Sequence, residues 1–168
     1  LFAMAETHSV LFLCLGNIVR STMSEIIMNH LVRKRGVADQ WKIDSAGTSN
    51  YHIGEGPDHR TIKVCKRRLG DDCPPITHRA RQLTSADFSN FDFILYMDTS
   101  NGENLEYMQP KGKYHAKVNL LGSFDPDKIK DEDTVVEDPY YDSNLDGFEF
   151  NFDLITRCCN ALLDQVHG

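Results

Sequence analysis

At 168 residues and 19.1 kDa the chain has room for one domain, with a core that needs no disulfide or metal staple. Lys+Arg 18 against Asp+Glu 25 leaves a net charge of -7. That excludes a nucleic-acid backbone as a source of affinity, so any bound anion must be held by a local pocket.

No run approaches the roughly 20 apolar residues of a membrane span, and no basic-then-apolar leader opens the chain. Leu1-Phe2-Ala3, ahead of Met4, reads as a foreign remnant; residues 1–7 are taken as a tail and 8–168 as one domain. Five cysteines in irregular positions read as reduced thiols of a cytoplasmic protein. CxxC, HExxH and EF-hand patterns are absent, so neither a metal nor a cofactor is expected.

Val10-Leu11-Phe12-Leu13 is a short apolar run suited to a strand buried on both faces. After a loop with Gly16 and Asn17, the residues Met23, Ile26, Ile27 and Leu31 recur at helical spacing, and Gly36 is a natural stop. Trp41 to Ser45 suits a second strand, and Pro57 opens a helix that ends near Leu69-Gly70. Phe91 to Met97 reads as a third strand with Asp98 at its carboxyl end, followed by a helix from about Ser100 to Met108. Lys117 to Leu121 is a weaker strand, and the acidic segment Ser123 to Val136 a solvated loop. Phe148, Phe152, Ile155, Cys159, Leu162 and Val166 form one apolar stripe on a long last helix, with Glu149, Asn151, Arg157 and Asp164 off it. Strands alternating with helices predict an α/β fold, a parallel sheet with helices on both faces. Its ligands bind beyond the carboxyl ends of the strands, where Cys14 and Asp98 fall.

Between the first strand and first helix lies Cys14-Leu15-Gly16-Asn17-Ile18-Val19-Arg20-Ser21. Backbone N–H groups at a helix start are unpaired, and a curled loop aims them inward as an anion nest. Gly16 tolerates unusual backbone angles, and Asn17 accepts the left-handed region. Arg20 adds a planar fork that grips two phosphate oxygens. The same positive field suits a sulfur anion, which makes Cys14 the candidate nucleophile. Ser21 can hydrogen-bond that sulfur as it leaves. A buried structural cysteine and a surface arginine are the plain alternative for a bare Cys-x5-Arg match; placement between strand and helix argues against it.

This stretch closely resembles the phosphate loop of the low-molecular-weight protein tyrosine phosphatases. The resemblance continues through Asp44-Ser45-Ala46-Gly47-Thr48, His78-Arg79-Ala80-Arg81-Gln82, Met97-Asp98 and Asp138-Pro139-Tyr140-Tyr141, nearly the whole chain in the family's order. It implies a doubly wound, four-stranded parallel sheet in a single domain, and hydrolysis of phosphotyrosine and small aryl phosphates through a cysteinyl-phosphate. No nucleic acid, membrane or second subunit is expected as partner.

Departure of an aryl or alkyl oxygen needs a proton, and the same carboxylate can later take one from water. Asp138 is the candidate, held extended by the following Pro139, and the resemblance gives the matching residue that role. By resemblance too, Tyr140 lines the cleft, Tyr141 is its neighbour, and Tyr51 stands at a variable wall position. Together they would favour a phosphotyrosine ring by stacking and depth. Asn17, Ser45 and His78 match a network that props the loop, and Asp98 is placed to aim Arg20.

Val19 departs from the pattern, since many members carry a second cysteine there that pairs with the nucleophile under oxidation; poorer thiol rescue after peroxide is the expectation. Thr22 replaces a common proline, and the 123–136 loop looks expanded. The alternatives are an arsenate reductase of the same fold, for which Cys65 and Cys73 would have to relay a disulfide, or a phosphotyrosine-binding module without turnover.

Overall fold

Four wholly buried residues in succession, Val10 to Leu13, make a strand that must be covered on both faces. The computed structural model describes residues 7–168; the expected tail, Thr7 apart, lies outside the described residues. In it β1 (His8–Cys14) pairs in parallel with β2 (Trp41–Gly47) on one side and β3 (Phe93–Tyr96) on the other, and β3 pairs with β4 (Lys117–Leu120). The order β2-β1-β3-β4 gives the expected four-stranded parallel sheet.

The two-residue period of β1 divides the interior. Val10, Phe12 and Cys14 enter one apolar cluster with α1 (Arg20–Lys34) and α5 (Asp146–His167). Leu11 and Leu13 enter a second with Phe88, Ile94 and Leu105. Helices α2 (His59–Leu69) and α4 (Thr99–Met108) complete the layers. Gly36 turns the chain after α1 at φ 72, and Asp58, just after Pro57, caps α2 by accepting from the Arg60 N–H.

Several boundaries differ from the sequence reading. β3 starts at Phe93 because the preceding residues are taken by a short helix, α3 (Asp87–Asn90), onto whose Asp87 carbonyl Phe91 N–H closes. Leu121 leaves β4 for a 3-10 turn reaching Phe124. The 123–136 segment is irregular beyond that turn but not merely solvated: Asp125 is 3% exposed and accepts from Arg157 of α5, and Val136 is fully buried. Asn151, placed off the apolar stripe, is also buried, because its amide is used for bonding to the segment beside it.

Candidate active site

Cys14 ends β1 and Arg20 begins α1, so the loop between them must reverse within five residues at the carboxyl edge of the sheet. Asn17 makes the reversal with φ 58. Gly16 does not take the unusual angles expected of it. It is needed for space, since a Cβ there would stand 2.9 Å from the His52 ring. Gly47 on β2 is tighter, since a Cβ there would stand 2.7 Å from Leu15 O, and this close approach goes with Thr48 and Ser49 N–H groups bonding the Cys14 and Leu15 carbonyls.

The curled loop brings an N–H to the sulfur. Asn17 N–H donates to Cys14 Sγ at 3.3 Å, and Ser21 Oγ lies 3.0 Å from it. Behind the loop, Asn17 Nδ2 donates to Ser21 Oγ (2.8 Å) and Ser45 Oγ (2.9 Å), and His78 Nε2 donates to the Asn17 carbonyl (2.8 Å). The three expected props are thus in one network. Two members were not anticipated: Glu25, which accepts from Ser45 Oγ at 2.6 Å, and Arg81, whose N–H donates to Asn17 Oδ1. Glu25 sits one helical turn beyond Ser21, a spacing that hints at it.

Arg20 is 3% exposed, and its Nη1 donates to Asp98 Oδ2 (2.5 Å) and to the Val136 carbonyl (3.0 Å). Asp98 is itself fixed: it caps α4 in a reciprocal pair with Asn101. The second guanidinium nitrogen lies 3.7 Å from Asp138 Oδ2. Asp138 Oδ1 accepts from the Tyr140 N–H in an Asx turn that leaves the carboxyl half-exposed. Upstream, Val136 N–H bonds the Met97 carbonyl, and Asn151 Nδ2 bonds the Glu137 carbonyl at 2.8 Å.

Cys14, Arg20 and Asp138 converge on one cleft of about 140 Å³, also lined by Leu15, Gly16, Ile18 and Val19. Tyr140 is half-buried in it with its ring 4.9 Å from Tyr141, while Tyr51 and Tyr141 are 72% and 91% exposed and so form a rim rather than closed walls. His52, tied to Glu55 at 2.5 Å, completes the lining and was missed; nothing in its local pattern marks it. Ser45, His78 and Asp98 do not line the cleft and stand behind it.

The remaining thiols lie elsewhere. Burial, with Cys73 nearby, pushes Cys65 up to about 12, and burial does the same to Cys158, to about 12. Cys159 is pushed up by burial as well. None of them lines the cleft.

Residues 9–168 match the family profile described as low molecular weight phosphotyrosine protein phosphatase. The human protein of that name is 44% identical over 167 residues, 98% of this chain and 100% of its own length. The Saccharomyces cerevisiae protein of the same name is 44% identical over 158 residues, 94% of each. Among solved structures, a Drosophila arginine phosphatase superposes with a TM-score of 0.85 at 34% identity, covering 95% of this chain and 98% of that one. The chain therefore belongs to the low molecular weight phosphotyrosine protein phosphatases, an enzyme family.

Proposed function

We propose that the chain hydrolyses phosphotyrosine and small aryl phosphomonoesters through a phosphocysteine at Cys14. The sulfur attacks phosphorus as the thiolate while the phosphorus–oxygen bond to the substrate breaks. The departing oxygen takes its proton from the Asp138 carboxyl group. Water then attacks the phosphocysteine, Asp138 takes up the water's proton, and the Cys14 thiolate leaves toward the Ser21 hydroxyl. Arg20 and the N–H groups of the 14–21 loop hold the three non-bridging oxygens, whose charge they balance through the transition state.

One observation carries this reading: a sulfur that receives an N–H at 3.3 Å and lies 3.0 Å from a hydroxyl oxygen, in a cleft that also holds a guanidinium and a half-exposed carboxyl group. Arg20 is already aimed by Asp98, so little ordering remains when phosphate binds. Tyr140 in the cleft and Tyr51 at its rim favour an aromatic ring on the phosphate. A disulfide relay is disfavoured by Cys65, which is buried and lines no part of the cleft, and a binding module by the retention of nucleophile and acid together. Five unpaired thiols support a reducing compartment such as the cytoplasm.

The test is turnover of p-nitrophenyl phosphate at mildly acidic pH, abolished by Cys14→Ser. Tight phosphate binding without turnover would support the module instead. Because a structural relative carries the description arginine phosphatase, phosphoarginine belongs in the same assay; faster turnover of it than of phosphotyrosine would overturn the substrate class.

A further inference from the structure

We infer that the groove beside the cleft receives an uncharged, apolar residue flanking the phosphotyrosine, which makes the preferred substrate a phosphopeptide of that kind. The inference rests on the proposed function and deepens it. The groove, of about 350 Å³, shares Leu15 and Tyr51 with the cleft, so the two form one continuous surface. A peptide whose phosphate sits on Cys14 and whose ring lies by Tyr140 reaches this groove when it leaves the cleft over the shared Leu15 and Tyr51 side.

The groove's own chemistry selects the flanking side chain. Its far side is built by Tyr107 and Met108 at the end of α4, and Tyr107 is 90% exposed. Leu15 and Tyr51 also stand exposed on the near side. Three large side chains exposed around one depression are apolar area that a bound side chain removes from water. Among the described residues no acidic, basic or histidine side chain lines it, although the chain as a whole carries a net charge of -7. A charged flanking residue would lose hydration there and gain no partner. Asn50 and Asn104 are also in the lining, and among the described residues their side-chain amides make no hydrogen bond to protein. They are free to pair with peptide N–H and C=O groups. Thr48, 8% exposed, lines the groove too, and its hydroxyl oxygen is buried without a partner.

The experiment compares phosphotyrosine peptides that differ in one residue, Leu, Asp or Lys, placed at each of the three positions on either side of the phosphotyrosine. Wild-type enzyme is expected to favour Leu over Asp by about fivefold in kcat/KM at one or more positions, an open groove gaining part of what a closed pocket gives. Tyr107→Ser should bring that ratio to near one while p-nitrophenyl phosphate turnover stays unchanged. Asn104→Lys should raise the Asp peptide severalfold by supplying a charge partner. Equal kcat/KM for the three peptides at every position would overturn the inference, as would a Leu preference that survives Tyr107→Ser. With either result, normal turnover of p-nitrophenyl phosphate leaves the proposed function standing. Absence of that turnover in the wild type would instead sink the proposed function and this inference with it.

Discussion

Asn17 shows how much one side chain settles at this site. Its backbone takes the left-handed turn (φ 58), its N–H meets the Cys14 sulfur, and its amide ties Ser21 to Ser45. Residues with branched or long apolar side chains pay a steric cost in that backbone region and lack the amide, so the geometry dictates the residue type. Asn151 plays a comparable part for the proposed acid. Its amide holds the carbonyl of Glu137, the residue before Asp138, from within α5. Replacing it by Leu keeps an apolar fit but orphans that carbonyl, at about 1–3 kcal/mol of folding stability. It also frees the Asp138 segment to drift. The expected result is a fall of about tenfold in kcat/KM for phenyl phosphate, whose leaving group needs the proton, as a small displacement of an acid costs about that much. With 2,4-dinitrophenyl phosphate, whose leaving group departs unprotonated, the change should be slight. An equal fall on both substrates would make Asn151 structural and not a positioning residue.

At the scale of elements, the β1–loop–α1 unit was legible because each part has its own signal. An apolar run four residues long marks a central strand, a Gly-Asn pair marks the reversal, and helical spacing resumes from Met23. The stripe on α5 was legible for the same reason. What could not be read was partnership. Asn151 is polar and off the stripe, and hydropathy marks such a position as solvent-facing; only the carbonyl of a segment fourteen residues earlier explains its burial. The four-residue α3 is likewise made by tertiary contacts, with Asp87 clamped by Arg81 and by the Thr84 N–H. Tyr51 and Tyr141 were placed at the cleft by resemblance, but their standing as an exposed rim depends on loop heights that no local pattern encodes. His52 enters the lining only because the loop after β2 folds back over Gly16.

Across the whole molecule, irregular segments are held by ion pairs between carboxylates and basic side chains, local in sequence for Asp58–Arg60 and Asp87–Arg81 and long-range for Asp125–Arg157. Burial alone would push the carboxyl groups of Asp58, Asp87 and Asp125 up. Hydrogen bonds and charge from Arg60, Arg81 and Arg157 respectively, together with backbone N–H groups of Arg60, Thr84 and Asp127, in sum outweigh burial and hold all three below their ordinary value of 3.8. Asp92 is held low in the same way, by His115 and Ser9. Below 3.8 the unfolded chain therefore binds more protons than the folded one, so stability rises with pH in that window. These contributions are complete above 3.8 and are lost as pH falls through the lower folded values. Thermal melting followed by circular dichroism should change little from neutral to mildly acidic pH through these groups and drop steeply below 3.8. An Asp125→Asn variant should melt lower at neutral pH and show a shallower acid limb; a limb unchanged in that variant would show that the pair with Arg157 does not contribute.

The most direct measurement is on the sulfur itself. Wild-type enzyme turning over p-nitrophenyl phosphate is quenched in acid within a turnover, digested and weighed by mass spectrometry. A phosphoryl group on the peptide containing Cys14, and absent from it in Cys14→Ser, is the predicted result. Active enzyme whose quenched peptides carry phosphate on another residue, or on none at any quench time, would contradict it.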